Sequence, residues 1–215
     1  MLAPLPFALH ASAGCPAHAE LALSLAGAFR DLASGPVEAR LDELAAAMPV
    51  PRSPAPLDQL KALAGLCAGP EWGCAPLSPR PDALLIDSVL AGGVGHPLAL
   101  AIVASEVAAR RRIPIGIVSN GQDHRCAHVG LDQPIVMRPD GGAIEDAREL
   151  PPTLTWRCAH ETCGLLIDEL ESEWLRHGRL DNALRAADLR LHLPFDDAGA
   201  TIARRKRDRL RARLN

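Results

Sequence analysis

Between positions 18 and 33 the apolar residues Leu21, Leu25, Ala28, Phe29 and Leu32 recur at three- and four-residue intervals, the spacing of one face of an α-helix. After Gly35-Pro36 the same period resumes in Val37, Leu41, Leu44, Ala45 and Met48, so two short amphipathic helices open the chain. Four prolines between Pro49 and Pro56 break the pattern before Leu57, Leu60, Leu63, Ala64 and Cys67 start a third helix. Gly69 to Pro81 carries no period. From Pro97 to Arg111 two turns are apolar nearly all round and end in Glu106, Arg110, Arg111 and Arg112, which predicts a central helix buried on most sides. Pro97 suits its first position, where a missing N–H removes nothing. Ile113–Ser119, Cys126–Leu131 and Pro134–Met137 then read as strands, with turn signals at Asn120-Gly121 and Pro139-Asp140-Gly141-Gly142. They predict a small antiparallel sheet packed on the central helix. From about Ala159 the pattern is helical to the end, divided into three helices by Gly178 and Pro194.

Composition narrows the classes. In 215 residues, 48% apolar and 23% charged, there is enough apolar surface for one sizeable core or two small ones. A net charge of −3 argues against nucleic-acid binding through overall charge. The longest apolar run, Pro97 to Ala104, is far below the ~18 residues of a membrane span. Six cysteines in a chain of this length are too few for a disulfide scaffold, so a reducing cytoplasm is the expected compartment. The opening segment to Cys15 has no basic residue ahead of its apolar part and is interrupted by His10, which argues against an export signal.

Several motifs occur in a specific order. They are the helical pair Glu20 to Met48, Asp87-Ser88, the helix opened by Gly95-His96-Pro97-Leu98-Ala99-Leu100, Arg112-Ile113-Pro114 leading into a strand, Ala127-His128-Val129, and a tail with Trp174, Leu175, Gly178, Ala183, Leu184, Ala187 and Pro194. In that order they resemble the transglutaminase-like family of the SirB type, over nearly the whole chain. The resemblance implies an α+β fold. Residues 1–80 would form the N-terminal helical part of a papain/transglutaminase-like core, 81–158 the buried helix and antiparallel strands, and 159–215 an all-helical tail of the tetratricopeptide type. A single such repeat must dock on a neighbour to bury its face.

Catalysis in such a core needs a cysteine at the start of the buried helix, a histidine on the adjacent strand and an acid to orient it. On the resemblance the nucleophile position falls on Pro97, the histidine on His128, and the acid on Arg138 or, two residues on, Asp140. No thiol or hydroxyl stands at the first. The expectation is a protein without catalytic residues or cofactor, an interaction or regulatory module for a protein or peptide partner, self-associating or not. Its groove candidates are Ser88, His96, His124, His128, Arg138 and Asp140. Ser88 reads as a cap or brace, and His96 as a neighbour of the helix cap or part of an anion site. The alternative is an enzyme, either metal-assisted through His124, Cys126, His128, Cys158, His160 and Cys163 or using Cys126 or Cys158 as nucleophile. Finally, Arg204, Arg205, Lys206, Arg207, Arg209, Arg211 and Arg213 form a basic run that invites an anionic partner. Aromatic residues make up only 3% of the chain and no nucleic-acid module is present. Glu145, Asp146, Glu149, Glu169, Glu171 and Glu173 could neutralise the run within or between subunits, and a solvated helix end or an intersubunit contact is its expected role.

Overall fold

In the computed structural model, which describes residues 4–70, 72–74, 80–150 and 153–213, the expected central helix is the axis of the molecule. The chain order is α1 (Phe7–Ala11), α2 (His18–Gly27), α3 (Ser34–Ala47), α4 (Pro56–Cys67), β1 (Gly73–Cys74), α5 (Ile86–Gly92), β2 (Val94–Gly95) and α6 (Pro97–Arg110). There follow β3 (Ile115–Ser119), β4 (His124–His128), β5 (Ile135–Met137), β6 (Ile144–Asp146), β7 (Thr155–Arg157), α7 (Ala159–Arg176), α8 (Leu180–Arg190) and α9 (Asp197–Ala212). The fold is α+β. Short 3-10 turns at Pro81–Leu84 and Ala147–Glu149 complete it.

Every residue of α6 from Leu98 to Ser105 is buried. Leu98, Leu100, Ile102 and Val103 fill the space between elements, and the alanines at 99, 101, 104 and 108 let neighbours approach closely. Helices α2, α3, α4 and α5 pack around it on one side, and β3 and β4 on the other. The five-stranded sheet is antiparallel in the order β6-β5-β4-β3-β7, while β1 and β2 form a separate parallel pair.

Strand alternation divides the sheet. Ile117, Cys126 and Met137 enter the main core, while Val118, Ala127 and Val136 face away and are covered by Ala147, Leu150 and Leu154. On that outer face Trp156 lies over Gly116, where an added Cβ would come within 2.6 Å of the ring.

The main core runs from Phe7 to Leu193 and takes side chains from all three expected segments. Helix α7 begins with a capping box in which Cys158 Sγ accepts from the Glu161 N–H and Glu161 Oε2 accepts from the Cys158 N–H at 2.9 Å. At Gly178, φ is 69°, which reverses the chain into α8 at low steric cost. Among the described residues no helix is long and apolar enough to cross a membrane.

Candidate functional site at the start of the central helix

His96 is itself the N-cap of α6, not only a neighbour of it: its Nδ1 accepts the Leu98 N–H at 3.2 Å, and Pro97 takes the first helical position. Facing this end is His124, whose ring centroid lies 5.7 Å from that of His96. His124 Nδ1 is 2.9 Å from Ser119 Oγ, and that oxygen accepts the Gly121 N–H at 2.8 Å. Which of the two donates follows the imidazole tautomer, since the hydroxyl oxygen can accept twice. Burial pushes His124 down to about 4, and the neighbouring His96 adds to the effect. Burial lowers His96 as well, opposed by Glu169 of α7. The positive end of the helix dipole also favours neutral rings here.

Of the expected groove residues, His96 and His124 come together here and His128 stands apart. Strand β4 runs alongside α6, with Cys126 Sγ against the Ala101 carbonyl at 3.8 Å. The two histidines of β4 are therefore about 13 Å apart along the strand, and only His124 is at the helix start. His128 lies against α4. Gly130 N–H donates to its Nδ1 at 2.9 Å, so Nε2–H donates to Gln59 Oε1 at 2.8 Å. Both ring nitrogens are occupied, and burial lowers the pKa of the ring.

The choice between Arg138 and Asp140 resolves into a pair of the two. Arg138 donates from Nε at 3.0 Å and from Nη2 at 2.6 Å to the two Asp140 oxygens. Their contact lowers the Asp140 carboxyl, although burial opposes it. Cys74 leans on the same carboxylate, and burial followed by that negative charge raises its thiol. Asp140 thus orients no imidazole. Ser88, within α5, caps nothing: the residue before that helix is Leu85, without a side-chain cap. The neighbouring Asp87 is taken by Arg30 Nη2 at 3.1 Å.

The six-residue metal alternative comes apart in space. Cys126 is buried and raised to about 12, and burial raises Cys163 further. Cys158 caps α7, and His160 Nε2 meets the Ala11 carbonyl at 3.1 Å. Among the described residues no three His, Cys, Asp or Glu side chains are grouped to hold a metal ion. Neither Cys126 nor Cys158 stands at the start of α6.

Two participants were missed in the sequence, Ser119 and Gln59. The signal for Ser119 existed: Ser119 and His124 flank the Asn120-Gly121 turn and pair directly across the hairpin. Gln59 had no signal, because its contact with His128 spans 69 positions.

A wider opening lies elsewhere, between α3 and α5. It is a groove of about 630 Å³ with Leu32, Val37 and Leu90 among its apolar lining and Asp31, Glu43 and Asp87 among its polar lining. Chemically, the α6 site offers two imidazoles whose charged form burial disfavours and a hydroxyl, and the α3–α5 groove offers apolar surface with Asp31, unpaired among the described residues, beside the Arg40–Glu43 and Arg30–Asp87 pairs. Compared with known proteins, the chain matches no family model, no curated protein and no solved structure.

Proposed function

We propose that this chain is a non-catalytic transglutaminase-like protein, a papain-like core with a tetratricopeptide-like tail, that works in the cytoplasm by binding a segment of a partner protein. The observation that carries this reading is the start of α6. A covalent acyl-transfer site of this type uses a thiol at the helix N-terminus, where dipole and free N–H groups stabilise the thiolate. That position is Pro97, beside a histidine engaged as the cap. The facing imidazole has its Nδ1 bonded to Ser119 and is hydrogen-bonded to no cysteine among the described residues.

The groove between α3 and α5 is the binding surface. Its apolar lining takes an aliphatic side chain, and Asp31, exposed and without a cationic partner among the described residues, takes a cation beside it. An array of short peptides probed with the wild-type chain tests this. The expected ligands place a basic residue three or four positions from an aliphatic one, and Leu90→Glu with Asp31→Lys abolishes their capture. Capture that survives both substitutions, or hydrolase activity blocked by a thiol-directed probe that labels one cysteine, overturns the reading.

A further inference from the structure

Between Asp197 and Arg213 seven cationic residues meet only Asp197 and Asp208. The acids expected to neutralise them are mostly engaged elsewhere. Glu145 holds Arg125, Asp146 holds Arg148, and Glu173 holds Arg176. Only Glu171 joins Asp168 in reaching the run, both through Lys206, while Arg207 turns to Asp208. Arg204, Arg205, Arg209, Arg211 and Arg213 have no acidic partner among the described residues and stand exposed. Like charges at four-residue spacing, as at Arg205, Arg209 and Arg213, destabilise a helix. They favour a form in which something anionic covers them.

The rest of the chain has the opposite balance, 16 cationic against 24 acidic residues. Helix α9 also carries a hydrophobic anchor. Ile202 is 66% exposed and shares a stripe with Arg205 and Arg209, three and seven positions on, while Ala203 and Leu210 are buried about a quarter turn round the helix from it. An aliphatic side chain followed by cations on one helical stripe complements the α3–α5 groove, which offers Leu32, Val37 and Leu90, the unpaired Asp31, and Glu43, now held by Arg40 at 3.0 Å.

We infer that the groove between α3 and α5 receives helix α9 of a second copy of this chain, Ile202 entering the apolar lining, one of Arg205 and Arg209 meeting the unpaired Asp31 and the other replacing Arg40 at Glu43. The inference rests on the groove reading above and names its occupant. A two-fold pair makes the contact twice, in the manner of a helix laid in a groove. A polyphosphate fits less well, since the body is acidic and 3% aromatic. A lipid surface fits less well too, since Ile202 is the only large apolar side chain exposed on α9 among the described residues.

Sedimentation of the full chain provides the test. The wild type is expected to dimerise at about 0.05 M salt and to weaken at least ~10-fold at about 0.5 M, as charges become screened. Arg205→Glu with Arg209→Glu, and separately Asp31→Lys with Glu43→Lys, should each weaken dimerisation ~100-fold with unchanged circular dichroism. Mixing the two variants should restore a dimer, because both contacts then pair opposite charges. Arg204→Glu with Arg211→Glu, on another face of α9, should change dimerisation less than ~3-fold. A monomeric wild type at about 100 μM in low salt, a mixture that stays monomeric, or equal effects of the two α9 pairs overturns the inference. A monomeric chain that still captures the arrayed peptides leaves the groove reading standing. Loss of both would remove the two together.

Discussion

The surroundings of His124 favour the neutral ring: it is 2% exposed, its Nδ1 is hydrogen-bonded to Ser119, and His96 lies against it. A histidine whose folded value lies near 4 against an ordinary 6.5 leaves the unfolded chain to bind the proton first. Stability is therefore full above about 6.5, falls as the pH drops below it, and stops changing on this account below about 4. The size of the loss is up to about 3 kcal/mol from His124, and burial of His96 and His18 adds in the same direction. Urea midpoints between pH 7 and pH 4.5 measure it, and His124→Gln is expected to remove at least ~1 kcal/mol of that slope. An unchanged slope would place the acid sensitivity elsewhere. At the same scale Gly142, at φ 72° with a Cβ position only 2.1 Å from the Ala64 carbonyl oxygen, admits no side chain. Gly142→Ala should lower stability by about 2 kcal/mol or more in the same titration, since strain and clash add.

Among the elements, those with long periodic patterns were legible and the short ones were not. The helices α3, α4 and α6 lie within a few residues of their predicted bounds because each spans three turns or more with a marked apolar face. Helix α2 stops at Gly27, short of the expected 33, because Phe29 and Leu32 pack on the core from outside the helix. Strands β6 and β7, of three residues each, are too short to show alternation, and Trp156 on β7 is held by a cross-strand contact with Gly116. The second predicted strand begins two residues early, at His124. Its position beside the helix start reflects packing against Ala101, which no local pattern encodes. For the same reason Cys158, a candidate ligand or nucleophile in the sequence, is a helix cap in the structure. Caps prefer a compact oxygen acceptor, so Cys158→Ser should raise the unfolding midpoint by the equivalent of about 0.5 kcal/mol. Cys158→Ala and Glu161→Ala should each lower it by about 1 kcal/mol. A Ser variant less stable than the Ala variant would show that the sulfur is held there for another reason.

For the whole molecule the decisive feature is that the tail is not an appendage. Cys163, Leu166, Ile167 and Leu170 of α7, Ala186 of α8 and the following Leu193 belong to the same core as α6, whereas α9 contributes only Ala203 and Leu210, outside that cluster. Burying a large aliphatic side chain is worth about 1.5–3 kcal/mol. The four largest of these residues together therefore carry about 6–12 kcal/mol, comparable with the ~5–15 kcal/mol that holds a typical domain folded. Removing them also strips cover from the α2 and α6 surfaces on which α7 packs. A chain ended after Arg157 is accordingly expected to lose its cooperative urea transition. One ended after Asp196 should keep a single transition, lowered by about 2–3 kcal/mol for the two buried side chains of α9. Circular dichroism across a urea series distinguishes the two. Cooperative unfolding of the shorter chain at the wild-type midpoint would mean that the core closes without its tail, and that α7 and α8 are held there for what they bind.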